Sequence, residues 1–126
     1  MGRYALCWRR VLIPERGDIL HIQFDPASGK EMLGNHYCLV VSPRSFNTRF
    51  RLCMVCPISG GAAEVARNSG FLISLMGTGL KTSGAVHAHQ LKSLDWVARQ
   101  AKFVEKVPDN IVQEVLDCLI AVFEDN

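Results

Sequence analysis

The sequence predicts a mainly β fold with one C-terminal helix, in which five to six strands form a small barrel that the helix closes. Short apolar runs, separated by glycine and proline, fill most of the chain before residue 108, as strands do. The last segment instead repeats its apolar residues at helical spacing. With 126 residues and 48% hydrophobic content, the chain suits one core. We therefore expect a single domain over 16–126, preceded by a basic N-terminal arm over 1–15.

The first strand is indicated by alternation between Asp18 and Asp25, which places Leu20 and Ile22 on one face. We expect it to be half-buried, because the other face carries more polar residues. Apolar or β-branched runs predict the further strands, and the Gly- and Ser-containing segments between them predict loops. The further predicted strands are 37–42 and 52–56, each ended by a proline, then 71–75, 84–91 and 100–107, and the main predicted loops are 26–36 and 58–70.

The C-terminal helix is predicted by apolar residues that recur every three or four positions, among them Ile111, Val115 and Leu119. Pro108 suits the first helical position, and Asp109 suits the positive end of the helix dipole. Packing on the core is the simplest role for such a stripe. Docking of a partner or of a second copy of the chain is the alternative.

The net charge of +2 conceals two unlike parts. Residues 1–104 hold 13 Lys and Arg against six Asp and Glu, which gives +7, whereas residues 105–126 hold one against six, which gives −5. A basic body indicates an anionic partner such as nucleic acid. We expect the acidic tail to lie away from that partner.

Cysteine content and hydropathy predict a soluble protein of a reducing compartment. Five cysteines are an odd number, and no apolar run approaches the ~20 residues of a membrane span or fits a signal peptide. Cys53 and Cys56 have the spacing of half a zinc site, but no second half follows. In an extended strand their sulfurs would also point to opposite faces. We therefore expect cytoplasmic localisation, reduced thiols and no metal.

His87 and His89 are the residues that most suggest chemistry. They lie two apart in a predicted strand, beside the small apolar residues Val86 and Ala88. The pleat of a strand would place both imidazoles on one face, ~6–7 Å apart, and the apolar pair on the core. Such a pair can act as base and acid, hold a metal, or simply form a solvent-facing surface. The spacing alone leaves these possibilities open.

Two predicted loops carry further candidate groups. The loop before the second strand contains Lys30, Glu31 and His36, which offer a cation, a carboxylate and an imidazole. A solvated turn is the alternative for that loop. The segment Ser59-Gly60-Gly61 offers backbone N–H groups to a phosphate, but it lacks the Lys-Ser/Thr ending of a P-loop, and its glycines also suit a flexible turn.

A series of short motifs follows a fixed order through the chain. They are Arg16-Gly17-Asp18-Ile19, Asp25-Pro26-Ala27-Ser28-Gly29-Lys30-Glu31, Val40-Val41-Ser42-Pro43, Phe46-Asn47, Cys56-Pro57-Ile58-Ser59, Ala66-Arg67-Asn68-Ser69-Gly70-Phe71, Thr82-Ser83-Gly84, Gln90-Leu91-Lys92-Ser93-Leu94-Asp95-Trp96 and Val107-Pro108-Asp109. In this order they resemble the MazF/PemK/Kid toxins of bacterial toxin–antitoxin pairs, and most of all the Kid/PemK branch.

The resemblance implies an SH3-like β-barrel with a C-terminal helix that works as a homodimer. It also implies an endoribonuclease that needs no metal or other cofactor. Such an enzyme cuts single-stranded mRNA at short sequences, leaves 2′,3′-cyclic phosphate and 5′-hydroxyl ends, and stops translation. The implied partner is a cognate antitoxin, which would lay an acidic or amphipathic segment across the active groove.

The chain departs from the family at several catalytic positions. By position, His89 replaces the family's basic carboxylate, His87 replaces its arginine acid, and Lys30 replaces a histidine that stabilises charge. Two imidazoles and a lysine suffice for attack by the 2′-hydroxyl of RNA, which supplies its own nucleophile. The resemblance thus implies the catalytic residues His87, His89, Lys30, Glu31, His36 and Ser59, and the RNA-binding residues Ser69, Phe71, Ser83, Ala85 and Gln90.

Two other functions are consistent with the sequence. CcdB toxins share the implied fold and bind DNA gyrase instead of cutting RNA. A family member whose site has decayed would only bind antitoxin, and loss of the arginine at position 87 is the reason to consider this. The loop that ends at Glu31 and the segment 92–96 favour the ribonuclease branch.

Overall fold

The computed structural model describes residues 12–23, 36–60 and 70–124. Within these ranges the chain forms seven strands, two α-helices and one short 3-10 helix. The strands are β1 (Asp18–Ile22), β2 (His36–Val40), β3 (Cys53–Ser59), β4 (Leu72–Ser74), β5 (Ala85–His87), β6 (Lys92–Leu94) and β7 (Lys102–Lys106). The helices are α1 (Arg44–Phe50), α2 (Asp109–Glu124) and the 3-10 helix Ala88–Gln90.

The strands form one antiparallel sheet in the order β4-β5-β3-β2-β1-β7, and β6 also pairs with β3. The mainly β class with a C-terminal helix is therefore confirmed, with seven strands instead of five or six. Within the described ranges the sheet is not closed by backbone hydrogen bonds, because its end strands β4 and β7 do not pair. Instead, a side chain of β7 bonds to the segment that follows β4. The Glu105 carboxylate of β7 accepts hydrogen bonds from the amides of Lys81 and Thr82 and from the Thr82 hydroxyl.

Both faces of the central strands are covered. Ile19 belongs to a core that α2 covers, whereas its neighbour Leu20 belongs to a second core around Trp96. The prediction of a half-buried first strand was therefore wrong for β1, since only one of its five residues escapes full burial. The helix contributes Ile111, Val112 and Val115 to the first core, while its last turns leave apolar side chains exposed.

Helix α1, which the sequence analysis missed, holds the start of the described chain against the sheet. Asn47, fully buried on this helix, donates hydrogen bonds to the carbonyls of Pro14 (2.7 Å) and Ser42 (3.1 Å). The Ser42 hydroxyl in turn accepts a bond from the Met54 amide of β3. One amide side chain thus connects residues 12–15, α1 and the beginning of β3.

Strand β3 continues through Pro57, where the sequence analysis ended it. Pro57 lies opposite Cys38 in the pairing with β2. On the other side of β3, β6 pairs with residues 53–55 and β5 with residues 58–59. Proline is accepted inside this strand because Cys56 and Pro57 lie between those two partners, where no neighbouring strand requires the missing N–H.

The predicted strand over 84–91 is divided into two. Strand β5 ends at His87, the 3-10 helix follows, and β6 begins at Lys92. Both strands pair with β3, at its opposite ends, and the 3-10 helix makes the step between them. Helix α2 begins one residue later than predicted, because the Pro108 carbonyl accepts its first hydrogen bonds. No helix within the described ranges is long and apolar enough to cross a membrane.

Candidate active site

Several of the predicted site residues lie where β2, β3 and β5 meet at one end of the sheet. Ser59 ends β3 and lies opposite Ala85 of β5. His36 begins β2, one residue beyond the Tyr37–Ile58 pair, and so lies beside Ser59 on the opposite strand. Three strands therefore bring residues from distant parts of the sequence to one edge.

His87 is the centre of this cluster and is held by Ser59. The Ser59 hydroxyl oxygen lies 2.9 Å from Nε2 of His87. The His87 side chain is only 9% exposed, whereas Ser59 lies at the surface. Val86 and Ala88, on either side of His87, are buried in the core that α2 covers. The prediction that this apolar pair faces the core is confirmed, and it fixes the direction in which His87 leaves the chain.

His89 lies near His87, but not for the predicted reason. The two ring centroids are 5.6 Å apart and the rings are tilted by 37°. The predicted pleat does not place them there, because His89 belongs to the 3-10 helix and not to a strand. His89 is exposed, and its Nε2 lies 3.3 Å from the side-chain nitrogen of Gln90. One imidazole is thus buried and the other faces solvent.

The surroundings of His87 favour its neutral form. Burial lowers the pKa of His87 below its usual 6.5, and the His89 imidazole lowers the pKa further by like-charge repulsion. A hydrogen bond with the Ser59 main chain acts in the opposite direction. At neutral pH the His87 ring is therefore uncharged and able to accept a proton.

Gly84 is a further residue of the site, and sequence reasoning noted it only as part of a motif. It has φ of +113°, and a Cβ atom built there would lie 2.6 Å from the Ser59 carbonyl oxygen. Only glycine allows the two backbones to come this close. The signal in the sequence was a glycine at the start of the predicted strand 84–91, where a glycine indicates such an approach.

A groove of about 390 Å³ runs beside Ser59 and includes two of the predicted RNA-binding residues, Ser83 and Ala85. Its wall includes Gly60 and the turn after β4. Phe71 lies elsewhere, in an open groove with Ala121 and Val122 of α2, although its carbonyl accepts a hydrogen bond from the Ala88 amide.

Three predicted site residues, Lys30, Glu31 and Ser69, lie outside the described residues.

Among the residues that the structure does describe, no three His, Cys, Asp or Glu side chains form a group suited to a metal ion. Cys53 and Cys56 belong to different cores, which confirms that their sulfurs face opposite sides of β3. Burial raises the pKa of each of these thiols to about 12.

The arrangement is suited to proton transfer on a substrate at the surface. Ser59 places an exposed hydroxyl beside the buried imidazole of His87, and His89 offers a second, exposed imidazole nearby. A base and an acid about this far apart can act on the two oxygens that enter and leave one phosphorus atom.

Comparison with known proteins gives the family. A family model described as the PemK-like, MazF-like toxin of type II toxin–antitoxin systems matches residues 15–123. Endoribonuclease PemK of Escherichia coli is 40% identical over 114 residues, which cover 90% of this chain and 85% of that protein. Endoribonuclease toxin ChpB of Escherichia coli strain K12 is 39% identical over 111 residues, covering 87% and 94%.

The fold agrees with this relationship. The crystal structure of MazE–MazF (Form-II) from Deinococcus radiodurans matches with a TM-score of 0.78 and 28% identity, covering 92% of this chain and 100% of that one. The resemblance found in the sequence is thereby confirmed. With a family model that spans nearly the whole chain and a relative 40% identical along most of it, the chain belongs to the PemK-like, MazF-like toxins of type II toxin–antitoxin systems.

Proposed function

We propose that this toxin is a metal-independent endoribonuclease that cuts single-stranded mRNA through the 2′-hydroxyl of the RNA. The observation that carries the proposal is the pair of His87 and His89, one buried and bonded to a serine hydroxyl and the other exposed. The resemblance implies that these positions are catalytic, and named relatives are endoribonucleases. Histidine pairs suit this reaction because imidazole both accepts and donates protons near neutral pH.

In the proposed mechanism His87 is the base and acts through Ser59. The 2′-hydroxyl gives its proton to the Ser59 oxygen as Ser59 passes its own proton to Nε2 of His87. The 2′-oxygen then bonds to phosphorus, and the bond from phosphorus to the 5′-oxygen breaks. His89 donates a proton to that leaving oxygen. The products are a 2′,3′-cyclic phosphate and a 5′-hydroxyl end.

This assignment reverses the roles that position in the family implied. The reason is burial: His87 is 9% exposed and favours its neutral form, whereas His89 lies at the surface where it can exchange protons with water. Lys30 is proposed to stabilise charge on the pentavalent phosphorus, and Glu31 and His36 to complete the site. The proposed RNA contacts remain Ser69, Phe71, Ser83, Ala85 and Gln90.

The proposed partners are a second copy of the chain and a cognate antitoxin, acting in the cytoplasm where mRNA is translated. Helix α2 supports a protein partner, because its exposed end carries Ile120 and Phe123, which are 50% and 80% exposed. Solved relatives include MazE–MazF complexes, which supports an antitoxin for this chain.

The test is cleavage of a defined mRNA by the purified toxin, with and without EDTA, followed by mapping of the cut ends. We expect cyclic phosphate ends in both conditions. His87→Ala and His89→Ala should each lower the rate by about 10²- to 10⁴-fold, whereas His21→Ala, a histidine of β1, serves as the matched control. Full activity of both site variants would refute the assignment, and loss of activity in EDTA would refute metal independence.

Ser59 has its own control. Ser59→Ala should slow cleavage by about tenfold or more, because the proton path to the buried base is cut, and Ser59→Thr should restore it by replacing the hydroxyl. Ser93→Ala changes a surface serine of β6 that pairs with Met54 of β3, far from Ser59, and should leave the rate unchanged. Equal rates for Ser59→Ala and the wild type would show that His87 meets RNA directly.

A further inference from the structure

The segment between β4 and β5, residues 75–84, forms one wall of the groove beside Ser59. Most of the residues that line this groove belong to the segment. Next to the two strands, the segment is closed by a bond from the Leu75 amide to the Gly84 carbonyl, at 3.0 Å. Its other side reaches β7, at the opposite edge of the sheet. This wall of the groove therefore connects the two edges of the sheet.

A single carboxylate makes the contact with β7. Glu105 accepts hydrogen bonds from the amide and the hydroxyl of Thr82, both at 2.7 Å, and from the Lys81 amide at 3.2 Å. Bonds of this length are typical of a charged acceptor, and they are stronger than bonds between neutral groups. Thr82 is only 9% exposed and Glu105 is partly buried, so water has little access to these bonds.

Residues 81–84 need this contact because packing does not hold them. Earlier in the segment, Leu75 and Leu80 belong to or pack against the core that α2 covers. Residues 81–84, in contrast, carry no large apolar side chain. Within the described ranges, β4 and β7 share no backbone pairing. The position of these four residues thus depends on hydrogen bonds, and Glu105 accepts three of them.

The residue that Glu105 holds is close in sequence to the active site. Ser83, which lines the groove, follows Thr82 directly, and Gly84 comes next. Gly84 approaches Ser59 so closely that a Cβ atom would lie 2.6 Å from the Ser59 carbonyl oxygen. The Ser59 hydroxyl in turn lies 2.9 Å from Nε2 of His87. Two peptide units span about 7 Å, so a shift of Thr82 is transmitted to the backbone beside Ser59.

We propose that Glu105 is a positioning residue of the active site, which holds Thr82 and thereby keeps Ser83 and Gly84 in place beside Ser59. It acts through residues 81–84 and not on the RNA. The kinetic consequences rest on the proposed ribonuclease function. The geometric consequence, the position of Ser59 relative to His87, is measured without RNA.

The kinetic test compares Glu105→Ala with Glu105→Gln in the cleavage of one mRNA, at a temperature at which both variants are folded. We expect Glu105→Ala to lower kcat about tenfold and to raise KM about fivefold, because Ser59 and Ser83 are both displaced. Glu105→Gln keeps an acceptor oxygen for Thr82 and should stay within about threefold of the wild type. A variant that had only lost stability would contain less active enzyme, with an unchanged KM.

Two further variants locate the effect. Thr82→Val removes the bonded hydroxyl and should cause a smaller loss of the same kind, and adding it to Glu105→Ala should cause no further loss, since both changes cut one link. Asp95→Ala is the matched control. The Asp95 carboxylate also accepts bonds from two backbone amides, both at 3.0 Å, but in the turn after β6. This control should lower the melting temperature and leave kcat and KM unchanged.

NMR titration of His87 follows the geometry in the absence of RNA. A hydrogen bond with the Ser59 main chain raises the pKa of His87. We therefore expect a lower midpoint in Glu105→Ala than in the wild type, and the wild-type midpoint in Asp95→Ala.

The outcomes separate this proposal from the proposed function. An unchanged His87 midpoint in Glu105→Ala would overturn the positioning role, whatever the cleavage rate. Equal kinetic effects of Glu105→Ala and Glu105→Gln would also overturn it, and would assign Glu105 a role through charge alone. A shifted midpoint in Glu105→Ala, together with a wild-type toxin that cleaves no RNA, would support the positioning role and refute the ribonuclease function.

Discussion

Gly84→Ala tests most directly whether the position of Ser59 controls the site. The new Cβ would lie 2.6 Å from the Ser59 carbonyl oxygen and 2.8 Å from its carbon, distances below the 3.0 Å limit that Cβ atoms respect. Both partners are backbone atoms, so one strand end must move by about 0.4 Å or more. The hydroxyl oxygen of Ser59 lies 2.9 Å from Nε2 of His87, so a shift of Ser59 also disturbs this contact.

The magnitude has two parts. A non-glycine residue at a φ of +113° costs about 1–2 kcal/mol on its own. The clash with the Ser59 main chain adds about 1–3 kcal/mol, as overpacking does elsewhere. We expect the melting temperature to fall by about 3–5 °C for each kcal/mol, and the cleavage rate to fall by about tenfold or more, because displacement of a reacting group by a fraction of an ångström is costly.

Gly77→Ala separates these parts. Gly77 has a similar positive φ of 81°, but a Cβ atom at this position would meet nothing within 4 Å, so the variant carries the backbone cost without the clash. Differential scanning calorimetry and single-turnover cleavage of one mRNA, run on both variants, give the comparison. If Gly84→Ala is no less stable than Gly77→Ala and cleaves at the wild-type rate, the close approach of Gly84 to Ser59 has no role in the site.

Three further perturbations address the rest of the molecule. Because burial and the His89 ring lower the pKa of His87, NMR titration should give a midpoint for His87 below 6.5 that rises in His89→Ala. The free energy of unfolding should fall as pH drops below 6.5, since the unfolded chain takes up that proton first. A midpoint above 6.5 would contradict this. Asn47→Ala should lower the free energy of unfolding in urea by about 2–4 kcal/mol, because the buried carbonyls of Pro14 and Ser42 lose their hydrogen-bond donor. A loss under about 1 kcal/mol would mean that water replaces the amide. Hydrogen bonds from Thr82 lower the pKa of Glu105, so this link is present above the usual 4.5 and is lost as pH falls below it. Glu105→Ala should speed hydrogen exchange of the Thr82 amide at neutral pH, and unchanged exchange would show that the link does not hold the loop.

Local patterns were sufficient for the fold class but not for its details. Helical spacing predicted α2 to within one residue at its start, because a long amphipathic repeat is a strong signal. Helix α1 was missed because its seven residues are mostly exposed and show no apolar period, and its one buried residue is the polar Asn47. The two buried faces of β1 were missed because burial of the second face depends on Trp96, far along the chain.

The site shows the same division between local and distant information. Residue type and spacing selected His87 and His89, and their proximity was predicted, yet the strand that was to explain it ends at His87. The break occurs because β5 and β6 must pair with opposite ends of β3, a constraint that no local window contains. The bond from Ser59 to His87 joins residues 28 positions apart, and only the assembled sheet brings them together.

The order of these contacts along the chain has a consequence for synthesis. Strand β1, among the first elements described, completes its pairing only with β7, and the core beside His87 is covered by α2, which follows every strand. Contacts between such distant residues form slowly and late. A ribosome making this toxin therefore carries a chain whose core beside His87 is incomplete until α2 has emerged and packed. The fold thus delays completion of the core behind the two histidines until synthesis is nearly finished.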